Sequence, residues 1–167
     1  LVFAQRASLS PLVRPPGMPS PRWAAPHSLV SAAEVTLFGD LEILFADRVL
    51  RPRSWTTLQS EWAAELMQVG PLGPILELCA GAGQIGLLAI ADRPSPLVQV
   101  DLNDAACAFA RRNAAVAGLS SLVEVRHGRM EDVIDAGERF ALIIADPPWV
   151  RSEETRIFPE DPLTAID

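Results

Sequence analysis

The stretch from Ile75 to Asp101 constrains the fold of this chain more than any other part of it. Ile75-Leu-Glu-Leu78 is a short, mostly apolar run of strand character. It leads into Cys79-Ala-Gly-Ala-Gly-Gln-Ile-Gly86 and then a helical segment to about Ala91. A strand that passes through a glycine-rich turn into a helix is the first part of a βαβ unit. A second strand, Leu97-Val-Gln-Val100, ends in Asp101; Asn103 or Asp104 then caps a helix that runs to Ala117 and stops at Gly118. A third strand is expected over Leu122–Val125, then a loop through His127 and Arg129, and a fourth strand over Phe140–Ile144. Strands and helices alternating at this spacing predict an α/β fold with a doubly wound, mostly parallel sheet.

In such a sheet, ligands bind beyond the carboxyl ends of the strands, where the strand order reverses. Gly81-Ala-Gly83-Gln-Ile-Gly86 reads GxGxxG, and Asp101 lies twenty residues beyond Gly81. The glycines let the backbone turn tightly and approach a ligand, while a carboxylate ending the second strand accepts both hydrogens of a ribose diol. The two features together predict a nucleotide cofactor. Taken alone, the glycines also suit a strand-to-helix turn that needs small residues for packing. The layout does not separate NAD from S-adenosylmethionine, because both carry an adenosine ribose.

The fourth strand bears on that choice, since it runs into Ala145-Asp-Pro-Pro-Trp-Val150. The Asp146 side chain and a backbone carbonyl of Pro147-Pro148 can accept the two N–H bonds of a planar amino group, with Trp149 stacked on the flat substrate. The bland reading is a turn at Asp-Pro, two prolines that stop a strand, and a tryptophan that covers the core. A hydride-transfer enzyme has no evident use for this motif. Methyl transfer from a sulfonium is an in-line displacement, so fixing donor and acceptor in line supplies much of the catalysis. Asp146, Pro147, Pro148 and Trp149 are therefore the candidate catalytic residues.

A length of 167 residues suits one domain with a real core. No run approaches the roughly 20 apolar residues of a membrane span, and no signal-peptide layout is present. A cytoplasmic protein is expected. The net charge of −7 disfavours a polyphosphate partner. Cys79 and Cys107 lack the spacing of a disulfide framework or metal site, and His27 and His127 lack neighbouring ligands, so no metal is expected. Cys79 has no adjacent basic partner and reads as a small loop residue rather than a reactive thiol. Residues 1–31 carry Pro11, Pro15, Pro16, Pro19, Pro21 and Pro26 with no sustained period, and read as an arm or linker ahead of a domain over 32–167. Val35–Phe38 and Leu41–Phe45 around Gly39-Asp40 predict a hairpin. Thr56 or Thr57 then caps a helix through Val69, with Leu58, Trp62, Leu66 and Val69 on one face.

At this point the chain resembles class I S-adenosylmethionine-dependent methyltransferases, and among them the HemK-type protein-(glutamine-N5) methyltransferases of peptide-chain release factors. The resemblance spans about residues 35–167. It rests on Phe38-Gly39, Val49-Leu-Arg-Pro-Arg53 with Thr56, Glu77-Leu-Cys-Ala-Gly-Ala-Gly83, Val100-Asp101, Ala110-Arg-Arg-Asn-Ala114 with Gly118-Leu119, and Phe140–Val150. Phe158-Pro-Glu-Asp-Pro-Leu-Thr-Ala-Ile-Asp167 adds to it. The resemblance implies a site for S-adenosylmethionine at Glu77, Cys79, Gly81, Gly83, Asp101, Leu102, Arg129, Met130 and Asp146. It also implies a protein substrate, a release factor first. Where the family has Asn-Pro-Pro-Tyr gripping a glutamine amide, this chain has Asp146 and Trp149. Cys79 replaces a loop glycine, Arg129 stands where relatives carry an acid near the adenine, and Ala141 replaces an acid on the fourth strand.

The runner-up reading is methylation of a nucleobase amino group, and a third is an inactive nucleotide-binding interaction module. Glu153-Glu154 with Arg151 and Arg156 reads as a polar loop that could serve as a lid. Only four core strands are visible by Ala145, against seven in the full methyltransferase sheet, so the chain is expected to be C-terminally incomplete.

Overall fold

A computed structural model of the protein describes residues 33–147. The Pro-rich arm, Pro148, Trp149 and the charged loop that follows them lie outside the described residues. β1 (Glu34–Phe38) and β2 (Leu41–Phe45) form an antiparallel hairpin whose turn uses Gly39 at a left-handed φ of 57°. A 3-10 turn, Ser54–Thr56, leads into α1 (Thr57–Val69). Then follow β3 (Ile75–Leu78), α2 (Gln84–Ala91), β4 (Leu97–Asp101), α3 (Asp104–Val116), β5 (Val123–His127), the one-turn α4 (Met130–Val133) and β6 (Leu142–Ala145).

The expected α/β architecture is present. β5, β4, β3 and β6 lie side by side in that order, and every pairing is parallel. The chain moves outward from β3 to β5 and then returns to the other side of β3 as β6, so the strand order reverses at β3. The main core lies on one face of the sheet. There Ile75, Leu97 and Ile144 meet Ala63 of α1, Ile85 and Ile90 of α2, Ala106 and Ala114 of α3, and Phe38 and Ile43 of the hairpin. The opposite face carries a smaller cluster of Leu76, Val98 and Val100 beneath Val133, Ile134 and Phe140. None of the described helices is long and apolar enough to cross a membrane.

Two strands are shifted along the chain from their expected positions. β5 starts and ends later than expected, which brings Arg126 and His127 into the strand. The Arg126 guanidinium grips both oxygens of Glu138 at 2.7 and 2.8 Å, and also bonds the Val133 carbonyl, so it ties β5 to the loop that precedes β6. β6 starts at Leu142 because Phe140 turns under the sheet and Ala141 donates its N–H to the Pro74 carbonyl at 2.8 Å.

The helix α1 does not dock through its apolar face. Leu58, Trp62, Leu66 and Val69 are 45, 56, 53 and 85% exposed, while Ser60 and Ala63 are buried. Small side chains allow α1 to lie close against α2, and the Ser60 hydroxyl donates to the Ile85 carbonyl at 2.9 Å. Close approach with a satisfied buried hydroxyl orients this helix in place of the larger side chains.

One buried side chain joins the hairpin, α3 and the glycine loop. Asn113 accepts the Leu44 N–H at 2.8 Å, and its Nδ2 donates to the carbonyls of Leu44 and Ala82, each at 2.9 Å. Its amide thus completes an edge of β2 as a neighbouring strand would, and it is fully buried. Replacing Asn113 with Ala strands three backbone groups, so we expect a loss of about 3 kcal/mol of stability, measured by urea unfolding.

Candidate functional site

The ends of β3, β4, β5 and β6 open into a cavity of about 710 Å³, large enough for a nucleoside with an amino-acid arm. Its floor is set by Asp101. The Asp101 Oδ2 atom accepts the Gly81 N–H at 2.7 Å and Oδ1 accepts the Asn103 N–H at 2.8 Å, so one carboxylate holds the glycine loop to the start of α3. Each oxygen keeps a further lone pair for a hydroxyl.

The glycine loop needs backbone that other residues resist. Gly81 and Gly83 have φ of 55° and 82°, and Cys79 shares that region at 55° although it carries a side chain. The three glycines of the GxGxxG pattern serve different ends. A Cβ on Gly81 would meet nothing nearer than Gln84 Oε1 at 4.0 Å, so the backbone there is open to an approaching ligand. A Cβ on Gly83 would come within 2.7 Å of the Gln99 amide, and one on Gly86 within 2.3 Å of the Glu77 carboxylate. Those two glycines make room for buried polar side chains.

That buried pair sits on neighbouring strands in register, Glu77 on β3 and Gln99 on β4. Gln99 Nε2 donates to Glu77 Oε2 at 2.7 Å and to the Gly83 carbonyl at 2.9 Å, while Glu77 Oε1 accepts the Gly86 N–H at 3.1 Å. Burial pushes the Glu77 carboxyl up to about 7, against the lowering effect of these hydrogen bonds, with Asp101 and Asp146 adding to the rise. Burial, then Asp101 and Asp146, likewise push the Cys79 thiol up. A thiol that holds its proton is a poor nucleophile.

Of the residues expected at the site, Cys79, Gly81, Asp101, Leu102, Arg129, Met130 and Asp146 line the cavity. Glu77, Gly83 and Pro147 do not line it, and Glu77 and Gly83 stand behind the loop. Arg129 lies at the exposed rim, where its Nε donates to Glu131 at 2.6 Å. Asp146 receives the Gln59 amide on Oδ1 at 3.1 Å. Pro148 and Trp149 lie outside the described residues.

Sequence reasoning missed one wall. Arg48, Val49 and Leu50 line the cavity because Asn103 Nδ2 donates to the Arg48 carbonyl at 2.6 Å and the Arg48 guanidinium pairs with Asp104 at 3.1 Å. The same Asn103 caps α3 by accepting the N–H groups of Ala105 and Ala106. His127 also lines the cavity, with Nε2 donating to the Leu102 carbonyl at 2.9 Å. Among the described residues, no group of three or more His, Cys, Asp or Glu side chains could hold a metal ion.

The family described as "Methyltransferase small domain" matches residues 59–159. The chain is 31% identical over 114 residues to "Release factor glutamine methyltransferase" of Xylella fastidiosa (strain Temecula1), covering 68% of this chain and 41% of that protein. It is 32% identical over 115 residues to "Ribosomal protein uL3 glutamine methyltransferase" of Burkholderia pseudomallei, covering 64% and 38%. The chain thus spans about two fifths of the length of these relatives. Among solved structures, "Human methyltransferase 10 domain containing protein" superposes with a TM-score of 0.56 at 19% identity, over 75% of this chain and 58% of that one. That likeness is one of fold.

The buried Glu77 gives a pH signature. Its raised value means that the folded protein keeps a proton the unfolded chain has lost, so its contribution is full below pH 4.5 and is lost as pH rises to about 7. Glu77→Gln removes this titration and keeps one acceptor oxygen for the Gly86 N–H, while its NH2 group replaces the oxygen that faces Gln99 Nε2. Urea unfolding across that range should show the variant gaining on the wild type by on the order of 3 kcal/mol and then levelling off.

Proposed function

This chain belongs to the methyltransferase small domain family, and from that premise we propose that it moves a methyl group from S-adenosylmethionine to a planar amide or amino nitrogen. A glutamine side chain in a protein is the first candidate, and such a translation-factor substrate puts the reaction in the cytoplasm. The observation that carries the reading is that a single cavity holds both Asp101 and Asp146. One carboxylate suits a ribose and the other suits an N–H donor.

The residues present fit the cofactor. Asp101 has a lone pair free on each oxygen for the ribose hydroxyls. The bare Gly81 backbone leaves space for the methionine arm. Leu102 and Met130 offer apolar surface to the adenine, with Cys79 in the same cavity as the two carboxylates and Arg129 at the rim. Glu77 and Gly83 support the loop from behind. When bound, the cofactor would supply an electrophilic sulfonium methyl to the acceptor nitrogen's lone pair, the electron pair of the C–S bond staying on sulfur.

On the acceptor side, Asp146 takes an N–H bond and stabilises the positive charge that grows on nitrogen as the new bond forms. From the sequence, a carbonyl of the Pro147-Pro148 pair is the proposed acceptor of the second N–H and Trp149 the proposed stacking partner of the flat group. The surplus proton leaves to water. Orientation by these groups is the larger part of the rate. The relatives named for release-factor and uL3 glutamine methylation support a protein acceptor, and the net charge of −7 supports it over RNA.

The test is transfer of labelled methyl from S-adenosylmethionine to purified release factor, ribosomal protein uL3 and RNA by the full-length protein. We expect label on a glutamine of one of the two proteins. Label on RNA alone would replace this reading with nucleobase methylation, and cofactor binding without transfer would make the protein an interaction module. Asp101→Ala should weaken cofactor binding about 30-fold. Asp146→Ala should lower transfer about 100-fold, and unchanged transfer by that variant refutes its role.

A further inference from the structure

Asp146 has a protein partner far away in sequence. Gln59 lies in the first turn of α1, 87 residues from Asp146, and its Nε2 donates to Asp146 Oδ1 at 3.1 Å. The way α1 docks makes this contact. Because Ser60 and Ala63 are buried and the Leu58–Trp62–Leu66 face is exposed, the helix is rotated so that Gln59, next to the anchored Ser60, reaches the end of β6. Docking through the large apolar residues would turn Gln59 elsewhere, since neighbouring helix positions differ by about 100°.

The chemistry of this pair is specific. A glutamine amide donates without bringing charge, so it fixes the Asp146 carboxylate and leaves its negative charge intact. One oxygen is occupied, and Oδ2 remains for an incoming N–H. An arginine or lysine in the same place would neutralise the carboxylate that has to stabilise charge on the acceptor nitrogen.

We propose that Gln59 is the positioning residue of the acceptor site: it holds Oδ1 of Asp146 so that Oδ2 receives the acceptor's N–H. The proposal rests on the methyl-transfer reading given above. Gln59 acts through Asp146 and touches neither the transferred methyl group nor the cofactor cavity, whose lining includes Asp146 but not Gln59.

The experiment compares wild type, Gln59→Ala and Gln59→Glu in the full-length protein, with labelled S-adenosylmethionine and whichever acceptor the wild type modifies. Gln59→Ala should lower kcat for that acceptor about tenfold, while cofactor Kd and melting temperature stay near the wild-type values. Gln59→Glu can donate only when protonated, so its activity should approach the wild type at low pH and fall as pH rises, where the wild type shows no such fall. Equal turnover by Gln59→Ala and wild type overturns the proposal alone. So does an equal loss of cofactor binding, or a flat pH profile for Gln59→Glu. If the wild type transfers methyl to no acceptor, the methyl-transfer reading fails and takes this proposal with it.

Discussion

A carboxylate and an amide buried side by side in the sheet set the shape of everything around the cavity. Glu77 and Gln99 occupy paired positions on β3 and β4, both shielded from water, and each must find its hydrogen bonds inside the protein. They find them in the turn that follows β3: the Gly86 N–H serves Glu77 and the Gly83 carbonyl serves Gln99. That demand brings α2 so close to the strands that only glycine fits at both positions. With the turn pinned from behind, Gly81 is carried forward to where Asp101 takes its N–H, and the cavity acquires its floor.

The pattern GxGxxG therefore carries two kinds of information. Gly83 and Gly86 record the internal polar pair, and Gly81 alone records open space for a ligand. The packing reading accounts for Gly83 and Gly86, and Gly81 has the open space that the ligand reading calls for. The same division places Glu77 and Gly83 behind the site rather than in it.

Much of the fold was legible because its signals are local. Ile75–Leu78, Leu97–Val100 and the run ending at Ala145 are short apolar segments closed by a turn, and their order along the chain implies the parallel sheet. Asp101 was legible for the same reason, being a single acid at the end of a strand. What escaped depends on contacts between distant residues. The helix α1 has a clear stripe at Leu58, Trp62, Leu66 and Val69, yet Ser60 and Ala63 decide its docking because small residues permit close approach to α2. The Arg48–Leu50 wall arises from Asn103 and Asp104, more than fifty residues away. Asn113 offered one signal: an amide on the apolar side of an otherwise alanine-rich helix, which a buried position obliges to bond something.

These contacts give the site a division of labour. Asn113 joins the hairpin and α3 to the glycine loop, Glu77 and Gln99 fix that loop from within the sheet, and Asp101 then presents a carboxylate to the cavity. The most direct test of this account is calorimetric titration of the full-length protein with S-adenosylmethionine and, separately, with NAD. The account predicts saturable one-to-one binding of S-adenosylmethionine and none of NAD. Binding of NAD, with no heat from S-adenosylmethionine, would contradict it.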